Sequence, residues 1–297
     1  MRIEARGVGK RFGRVVALDG VGFEIAAGSR VALVGPNGSG KSTLNRILMG
    51  LLACDGEVRL DGCSPFDQRV RIAAQMAYVP QAAPQLGARV GEVVGSVARV
   101  RGLTREEIAR FAHAMELNLD AIASLPFRSL SGGTKQKLLI ALAFSARASL
   151  LILDEPTGSL DARARERFFE LFEAISPGTT LLLCSHRLEE VRPLVDHVLF
   201  LEEGRLAWEG RAARFLELCS SSVIEVWADG EEALAWLRAR GFRPTPGGAW
   251  VCSAPHADKL KRVEELVREL GGRLRNLNVR DLERLDLSGV RGGAGRA

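Results

Sequence analysis

Nowhere does the chain run about 18 or more apolar residues together, the length a helix needs to cross a bilayer, so no segment is expected to span one. Its opening, Met1-Arg2-Ile3-Glu4, lacks the apolar core of a signal peptide, which predicts a cytoplasmic location. Cysteine is sparse. Cys54, Cys63, Cys184, Cys219 and Cys252 are odd in number and include no CxxC pair. That excludes a disulfide framework, argues against a zinc site, and leaves reduced, structural thiols as the expectation. Lysine is scarce too, since 35 of the 41 basic residues are Arg. The net charge of +5 would suit nucleic acid. However, acidic and basic residues are interleaved and no dense basic block stands out, so no nucleic-acid partner is expected.

What is present suits a globular α/β protein. The 297 residues are 46% hydrophobic and 26% charged, enough for one large domain and a smaller one. Val31–Val34, Leu150–Leu153 and Thr180–Cys184 are short runs of almost wholly apolar residues, the pattern of strands buried on both faces of a parallel sheet. Helical stretches from Lys41 to Leu51 and from Ala162 to Ile175 follow the first two, which gives the α/β alternation. The start differs: Ile3–Gly7, Val15–Leu18 and Val21–Ile25 read as antiparallel strands with turns at Gly13 and Gly20. Residues from about 90 to 145 read as helical, with a capping-box start at Thr104-Arg105-Glu106-Glu107.

The texture changes after about residue 215, so residues 1–215 are expected to form the first domain and 216–288 a small α+β domain. Ser220–Ser222 reads as a linker. Val223–Trp227, Glu231–Arg240, Trp250–Cys252, His256–Leu270 and Leu274–Val279 then give strand, helix, strand, helix, strand, an order of ferredoxin-like type. The Gly/Arg-rich tail 289–297 is expected to be disordered.

Two segments carry chemistry. Gly35-Pro36-Asn37-Gly38-Ser39-Gly40-Lys41-Ser42 fits G-x-x-x-x-G-K-[ST]. Glycines let successive backbone N–H groups turn into one concavity, and with the positive end of the following helix this nest holds phosphates. Lys41 would reach the β- and γ-phosphates, and the Ser42 hydroxyl would ligate Mg²⁺. The second is Leu150–Glu155, an apolar strand ending in two acids. Charge at the edge of a core is costly without a partner, and a Mg²⁺–nucleotide complex would be that partner. Asp154 is then the metal ligand and Glu155 the group that polarises the attacking water.

Further motifs narrow the reading. Leu130-Ser131-Gly132-Gly133 resembles the signature motif of the ABC ATPase family and precedes Leu150–Glu155 as it does there. Tyr78-Val79-Pro80-Gln81 resembles that family's Q-loop, Ser159-Leu160-Asp161 its D-loop, and His186 its switch histidine. Phe12 falls where the family stacks an aromatic on adenine. Taken singly, Ser131–Gly133 is a flexible turn, His186 a strand-end histidine and Phe12 an ordinary aromatic. Their shared order across residues 1–215 is what gives them weight. One position departs: the signature usually ends in Gln, and here Thr134 stands there, with Gln136 two residues on.

The resemblance implies an ABC ATPase core with an antiparallel β subdomain and a helical subdomain. It implies that ATP is bound by Phe12, Gly35–Lys41, Ser42, Thr43 and Gln81 of one chain and by Ser131, Gly132 and Gly133 of a second copy, a homodimer, with Asp161 also at the nucleotide. It places Mg²⁺ on Ser42, Gln81 and Asp154, and chemistry on Lys41, Glu155 and His186. An integral membrane permease is implied as partner, with the chain peripheral on the inner face of the cell membrane. The segment Leu277–Leu285 is similar to the C-terminal extension of ATPases paired with ABC-2-type permeases, a group made up mostly of exporters. Other readings are an importer ATPase, a soluble ABC ATPase of translation or repair, and a regulatory subunit. The single cassette, the lack of a coiled-coil insertion and the intact site residues argue against the last two.

Overall fold

Alternating burial makes the first 25 residues an antiparallel ribbon. β1 (Ile3–Phe12) and β2 (Val15–Ile25) pair from Ile3 against Ile25 to Phe12 against Val15, around the expected turn at Gly13. Ile3, Ala5, Val21, Phe23 and Ile25 face inward, the period-2 pattern of a half-buried strand. At Gly20 there is no turn: β2 runs through it, and the register shifts between the Val8–Val21 and Lys10–Leu18 pairs. The glycine marks an irregularity within one strand, which bends the strand without ending it.

Residues 1–173, 178–185, 188–219, 221–255 and 258–281 are described by the computed structural model. They fall into two compact units. One comprises the described residues of Met1–His186 and Pro193–Gly210, the other those of Arg187–Arg192 and Arg211–Ala297.

In the first unit, β3 (Arg30–Val34) leads through a loop into α1 (Lys41–Leu48). That helix ends at Leu48 rather than Leu51. The N–H of Gly50 bonds the Ile47 carbonyl and that of Leu51 the Arg46 carbonyl, closing the last turn. β4 (Asp55–Leu60) joins the ribbon in the order β2-β1-β4. After α2 (Arg69–Ala74) and β5 (Met76–Val79) comes the helical region, four helices separated by loops: α3 (Val90–Arg101), α4 (Arg105–Ala114), α5 (Leu119–Ile122) and α6 (Gly132–Ser145). The capping box is formed. Thr104 Oγ1 accepts from Glu107 N–H at 3.2 Å, and Thr104 N–H donates to Glu107 Oε2 at 2.7 Å. These helices share a core of their own around Val90, Ile108, Phe127, Leu130 and Leu138.

Next along the chain come β6 (Leu150–Asp154), α7 (Ala162–Glu173), β7 (Thr180–Cys184), α8 (Leu188–Leu194), β8 (His197–Glu202) and β9 (Arg205–Arg211), all of the first unit except residues 188–192 of α8 and Arg211, which group with the second. Six strands form one sheet, ordered β5-β6-β7-β3-β8-β9, with the pairs from β5 to β8 parallel. Every residue of β6 and β7 is buried, as a parallel sheet covered on both faces requires. β6, β7 and β3 lie side by side, so the loops leaving their carboxyl ends share one edge. In open α/β sheets that edge is where ligands bind. Leu44, Ile47 and Leu48 of α1 pack in one cluster with Leu33, Ile152 and Leu182 of the sheet. At about 25 cal/mol per Å² of apolar surface, each such side chain contributes roughly 1.5–3 kcal/mol.

Phe168 of α7 is fully buried, with its ring 5.9 Å from that of Phe144 and 6.2 Å from that of Phe172. Phe168→Ala is expected to cost about 3–5 kcal/mol. Urea unfolding measures this, and a loss under about 1 kcal/mol would mean that the ring is not packed as described.

The second unit continues with α9 (Ala212–Cys219), β10 (Ser221–Ala228), α10 (Glu231–Ala239), β11 (Arg243–Pro244), β12 (Trp250–Pro255), α11 (Lys259–Leu270) and β13 (Leu274–Asp281). Its sheet is antiparallel in the order β11-β12-β10-β13. Ile224, Val226, Trp250 and Cys252 of the sheet pack with Ala233 and Leu237 of α10 and with Leu266 and Leu270 of α11. Beyond the expected elements stand α9 and the two-residue β11. Ser221 and Ser222 begin β10 and are not a linker. Ser220, His256, His186, Ile175 and the tail 289–297 lie outside the described residues, as does the end of the Leu277–Leu285 segment. Among the described residues no helix is long and apolar enough to cross a membrane. All five cysteines are free thiols.

Candidate functional site

The loop between β3 and α1 is drawn tightly against the sheet, and its glycines permit it. A Cβ on Gly35 would sit 2.2 Å from the Leu201 carbonyl oxygen and 2.6 Å from Ser39 Oγ. Gly40, at φ +105, caps α1, and a Cβ there would meet the Ala17 carbonyl oxygen at 2.6 Å. Any larger residue at either position would push the loop away from β2 or β8. The outer arc of Pro36, Asn37 and Gly38 is exposed, as is Ser42, while Thr43 is half-buried. Lys41 Nζ donates to the carbonyls of Gly35 at 2.6 Å and Pro36 at 3.0 Å. Burial pushes the pKa of this ammonium down, and the nearby Cys184, Glu155 and Asp154 push it back up.

Asp154 ends β6 almost buried, at 9% exposure. Burial and then the Glu155 charge raise its pKa, against the Tyr78 hydrogen bond and the charges of Lys41 and Arg46. The Tyr78 hydroxyl donates to Asp154 Oδ2 at 3.4 Å, and burial raises the phenol's own pKa. Glu155 adopts φ +45, a left-handed conformation that costs a non-glycine residue about 1–2 kcal/mol. The turn is held by its N–H, which donates to the Cys184 carbonyl at 2.8 Å. Its Oε2 accepts from Gln81 Nε2 at 3.0 Å. Lys41, Gln81, Asp154 and Glu155 are therefore brought together at the carboxyl edge of the sheet.

The other sequence-identified residues stand elsewhere in this unit. Ser131 is exposed and caps the fourteen-residue α6. Its Oγ accepts from Thr134 N–H at 3.1 Å and lies 2.7 Å from Thr134 Oγ1. Gly132 and Gly133 form the first turn, and a Cβ on Gly133 would approach the Ser159 carbonyl oxygen to 3.1 Å. Asp161 accepts from Ala164 N–H at 2.8 Å, capping α7. Phe12 is 47% exposed beneath the Lys10 ammonium, 5.7 Å from the ring centroid. His186 lies outside the described residues. Among the described residues, no hydrogen bond joins Ser131–Gly133 to Gly35–Ser42.

Sequence reasoning missed the partners of three residues. Tyr78 stands in the sequence only as part of a loop motif, yet it bonds the strand-end acid. Gln136, only 2% exposed, donates to the carbonyls of Pro156 at 3.1 Å and Pro80 at 3.4 Å, bracing α6 against the loops after β5 and β6. Asn45 donates to Cys184 Sγ at 3.0 Å. A buried amide on an otherwise apolar helix face was the available signal for the last two.

The loop fits a polyphosphate. It closes around a buried Ser39 hydroxyl that, among the described residues, has no hydrogen-bond partner, below an exposed arc and beside a lysine bonded to loop carbonyls. Among the described residues no three His, Cys, Asp or Glu side chains gather to hold a metal by themselves. The Asp154 carboxylate and the Ser42 hydroxyl are instead oxygen donors of the kind that suits Mg²⁺, which keeps waters and takes further oxygens from substrate phosphates.

Strand, phosphate loop, helix and strand-end acids in this arrangement define a P-loop nucleoside-triphosphate-binding protein. The ABC transporter family model matches residues 18–158. Over 241 residues the chain is 35% identical to the Nod factor export ATP-binding protein I of Sinorhizobium fredii, covering 78% of this chain and 69% of that one. Over 252 residues it is 38% identical to the Fe(3+) ions import ATP-binding protein FbpC of Streptomyces coelicolor, covering 81% and 67%. A dimeric bacterial ABC transporter cassette of solved structure matches with a TM-score of 0.63 at 25% identity, over 71% of this chain and 98% of the cassette. The chain belongs to the ABC transporter family, as an ATP-binding subunit and an ATPase.

Proposed function

We propose that this chain drives export through a separate membrane permease by closing, with ATP, onto a second copy of itself. The observation that carries the reading is a division within one chain. Lys41, Gln81, Asp154 and Glu155 gather at one sheet edge, while the exposed start of α6 carries Ser131–Gly133, and among the described residues no hydrogen bond joins the two. A triphosphate on the loop would leave its γ-phosphate open to a helix start from outside, and a helix N-terminus stabilises such charge. The dimeric cassette of similar fold supports the same arrangement.

In this reading Gly35–Thr43 bind the phosphates of ATP, and Lys41 leaves its carbonyl partners for the β- and γ-oxygens. Phe12 stacks on adenine, and Asp161 joins the site through the D-loop. Ser131, Gly132 and Gly133 of the second copy close it. Mg²⁺, held by Ser42, Gln81 and Asp154, supplies charge neutralisation between the phosphates. Glu155 takes the proton of the attacking water, and Gln81 holds that carboxylate in place until then. His186 would contact the γ-phosphate. Phosphate release removes the charge that binds the two copies, and they separate.

The permease would bear on the surface near Gln81 and the helical region, with the chain peripheral on the inner face of the membrane. Export through an ABC-2-type permease is supported by the C-terminal segment from Leu277 and by the relative named for Nod factor export. The relative named for Fe(3+) import keeps import as a second reading. The C-terminal unit, with its β-α-β-β-α-β order and sheet order β11-β12-β10-β13, we assign to the ferredoxin-like type. Purification from membranes of cells expressing a tagged chain tests the partner. Recovery of a multi-helix permease supports the reading, and co-purification with ribosomes or DNA instead would overturn it.

A further inference from the structure

At the start of α6 the sequence departs from the family's signature, with Thr134 where Gln is usual. We propose that Thr134 is a positioning residue whose hydroxyl turns the proton of Ser131 outward, making Ser131 a donor to the γ-phosphate held by the other copy. This rests on the dimer reading above. Ser131 Oγ already accepts the Thr134 N–H at 3.1 Å, and Thr134 Oγ1 lies 2.7 Å away, with either oxygen able to donate. Phosphate oxygens only accept. A phosphate at Ser131 therefore selects the arrangement in which Thr134 O–H donates to Ser131 Oγ. Both acceptor positions of Ser131 are then filled from Thr134, and its single proton points away from the helix. The chain of donors runs Thr134 to Ser131 to phosphate, and each link polarises the next.

Burial agrees with this role. Ser131 is exposed and free to meet a partner, while Thr134 is half-buried behind it. The β-branched Thr134 side chain has few rotamers, so its hydroxyl is held near Ser131 at little entropic cost. The neighbouring Gly133 backs onto the Ser159 carbonyl, which limits movement of the same helical turn.

The test uses the full chain carrying Glu155→Gln, with MgATP-dependent dimerisation followed by gel filtration and light scattering. Thr134→Val keeps the shape and helix preference of the side chain and removes the hydroxyl, whereas Thr134→Ser keeps the hydroxyl. The Val variant is expected to need about 3- to 10-fold more ATP for half-dimerisation, the worth of one hydrogen bond per site. The Ser variant should stay near the parent. Binding of a fluorescent ATP analogue to the monomer should be the same in all three, because the loop of the same chain is untouched. Equal dimerisation of the Val and Ser variants overturns the role of Thr134 and leaves the dimer reading standing. A parallel loss of monomer binding in the Val variant also overturns it, because the change would then act on the fold. Failure of the Glu155→Gln parent itself to dimerise overturns both.

Discussion

Glu155→Gln is expected to lower ATP turnover by about 10²–10⁴-fold while leaving nucleotide affinity close to that of the native chain. The reason lies in which bonds the substitution spares. The backbone turn at Glu155 depends on its N–H and the Cys184 carbonyl, which do not change. The amide oxygen of the new side chain can still accept from Gln81 Nε2, now at 3.0 Å from the carboxylate. What disappears is the capacity to take a proton, together with the charge that raises the pKa values of Asp154 and Lys41. With hydrolysis blocked, the γ-phosphate stays and the dimer should persist on gel filtration with MgATP but not with MgADP. Phosphate-release kinetics decide the matter: turnover within about threefold of native would remove Glu155 from the chemistry, since general-base loss costs far more.

The second large effect is expected at Gly35. Gly35→Ala places a carbon 2.2 Å from a backbone carbonyl of β8 and 2.6 Å from Ser39 Oγ, so backbone must move. Overpacking of this kind costs about 1–3 kcal/mol. The displaced loop should also bind ATP about tenfold or more weakly, because a phosphate nest tolerates little misplacement. Gly38→Ala serves as the comparison. Its added carbon meets no atom within 4 Å, and only the left-handed backbone at φ +82 opposes it, at about 1–2 kcal/mol. Chemical denaturation and titration with a fluorescent nucleotide measure both. Equal and mild effects at the two positions would mean that the close approach to Leu201 does not shape the loop.

The phosphate loop and the strand-end acids were legible because each is a run of consecutive residues whose chemistry is local. Gly35–Ser42 needs only its own backbone, and Leu150–Glu155 shows both its burial and its charge in six letters. What the sequence hid depends on long-range partners. Tyr78 meets Asp154 and Gln136 meets Pro156 only because β5, β6 and α6 are brought side by side. β11 spans two residues, too few to show any period, and one of them is Pro244. Gly20 looked like a turn because a glycine between apolar runs signals either a turn or a bulge, and only pairing with β1 decides which. The serines 220–222 looked like a linker by composition, yet Ser222 is buried in β10.

The Gln136 brace has a mechanical consequence. One amide nitrogen grips the carbonyl of Pro80, just before Gln81, and that of Pro156, just after Glu155, and it sits on the helix that Ser131 caps. Any displacement of those two carbonyls as a subunit's own nucleotide is hydrolysed would be passed to α6 through Gln136. In the proposed pair, a movement of α6 would shift the hydroxyl lent to the opposite nucleotide. Each half of the machine would then report its chemical state to the other through a single side chain, a basis for taking turns.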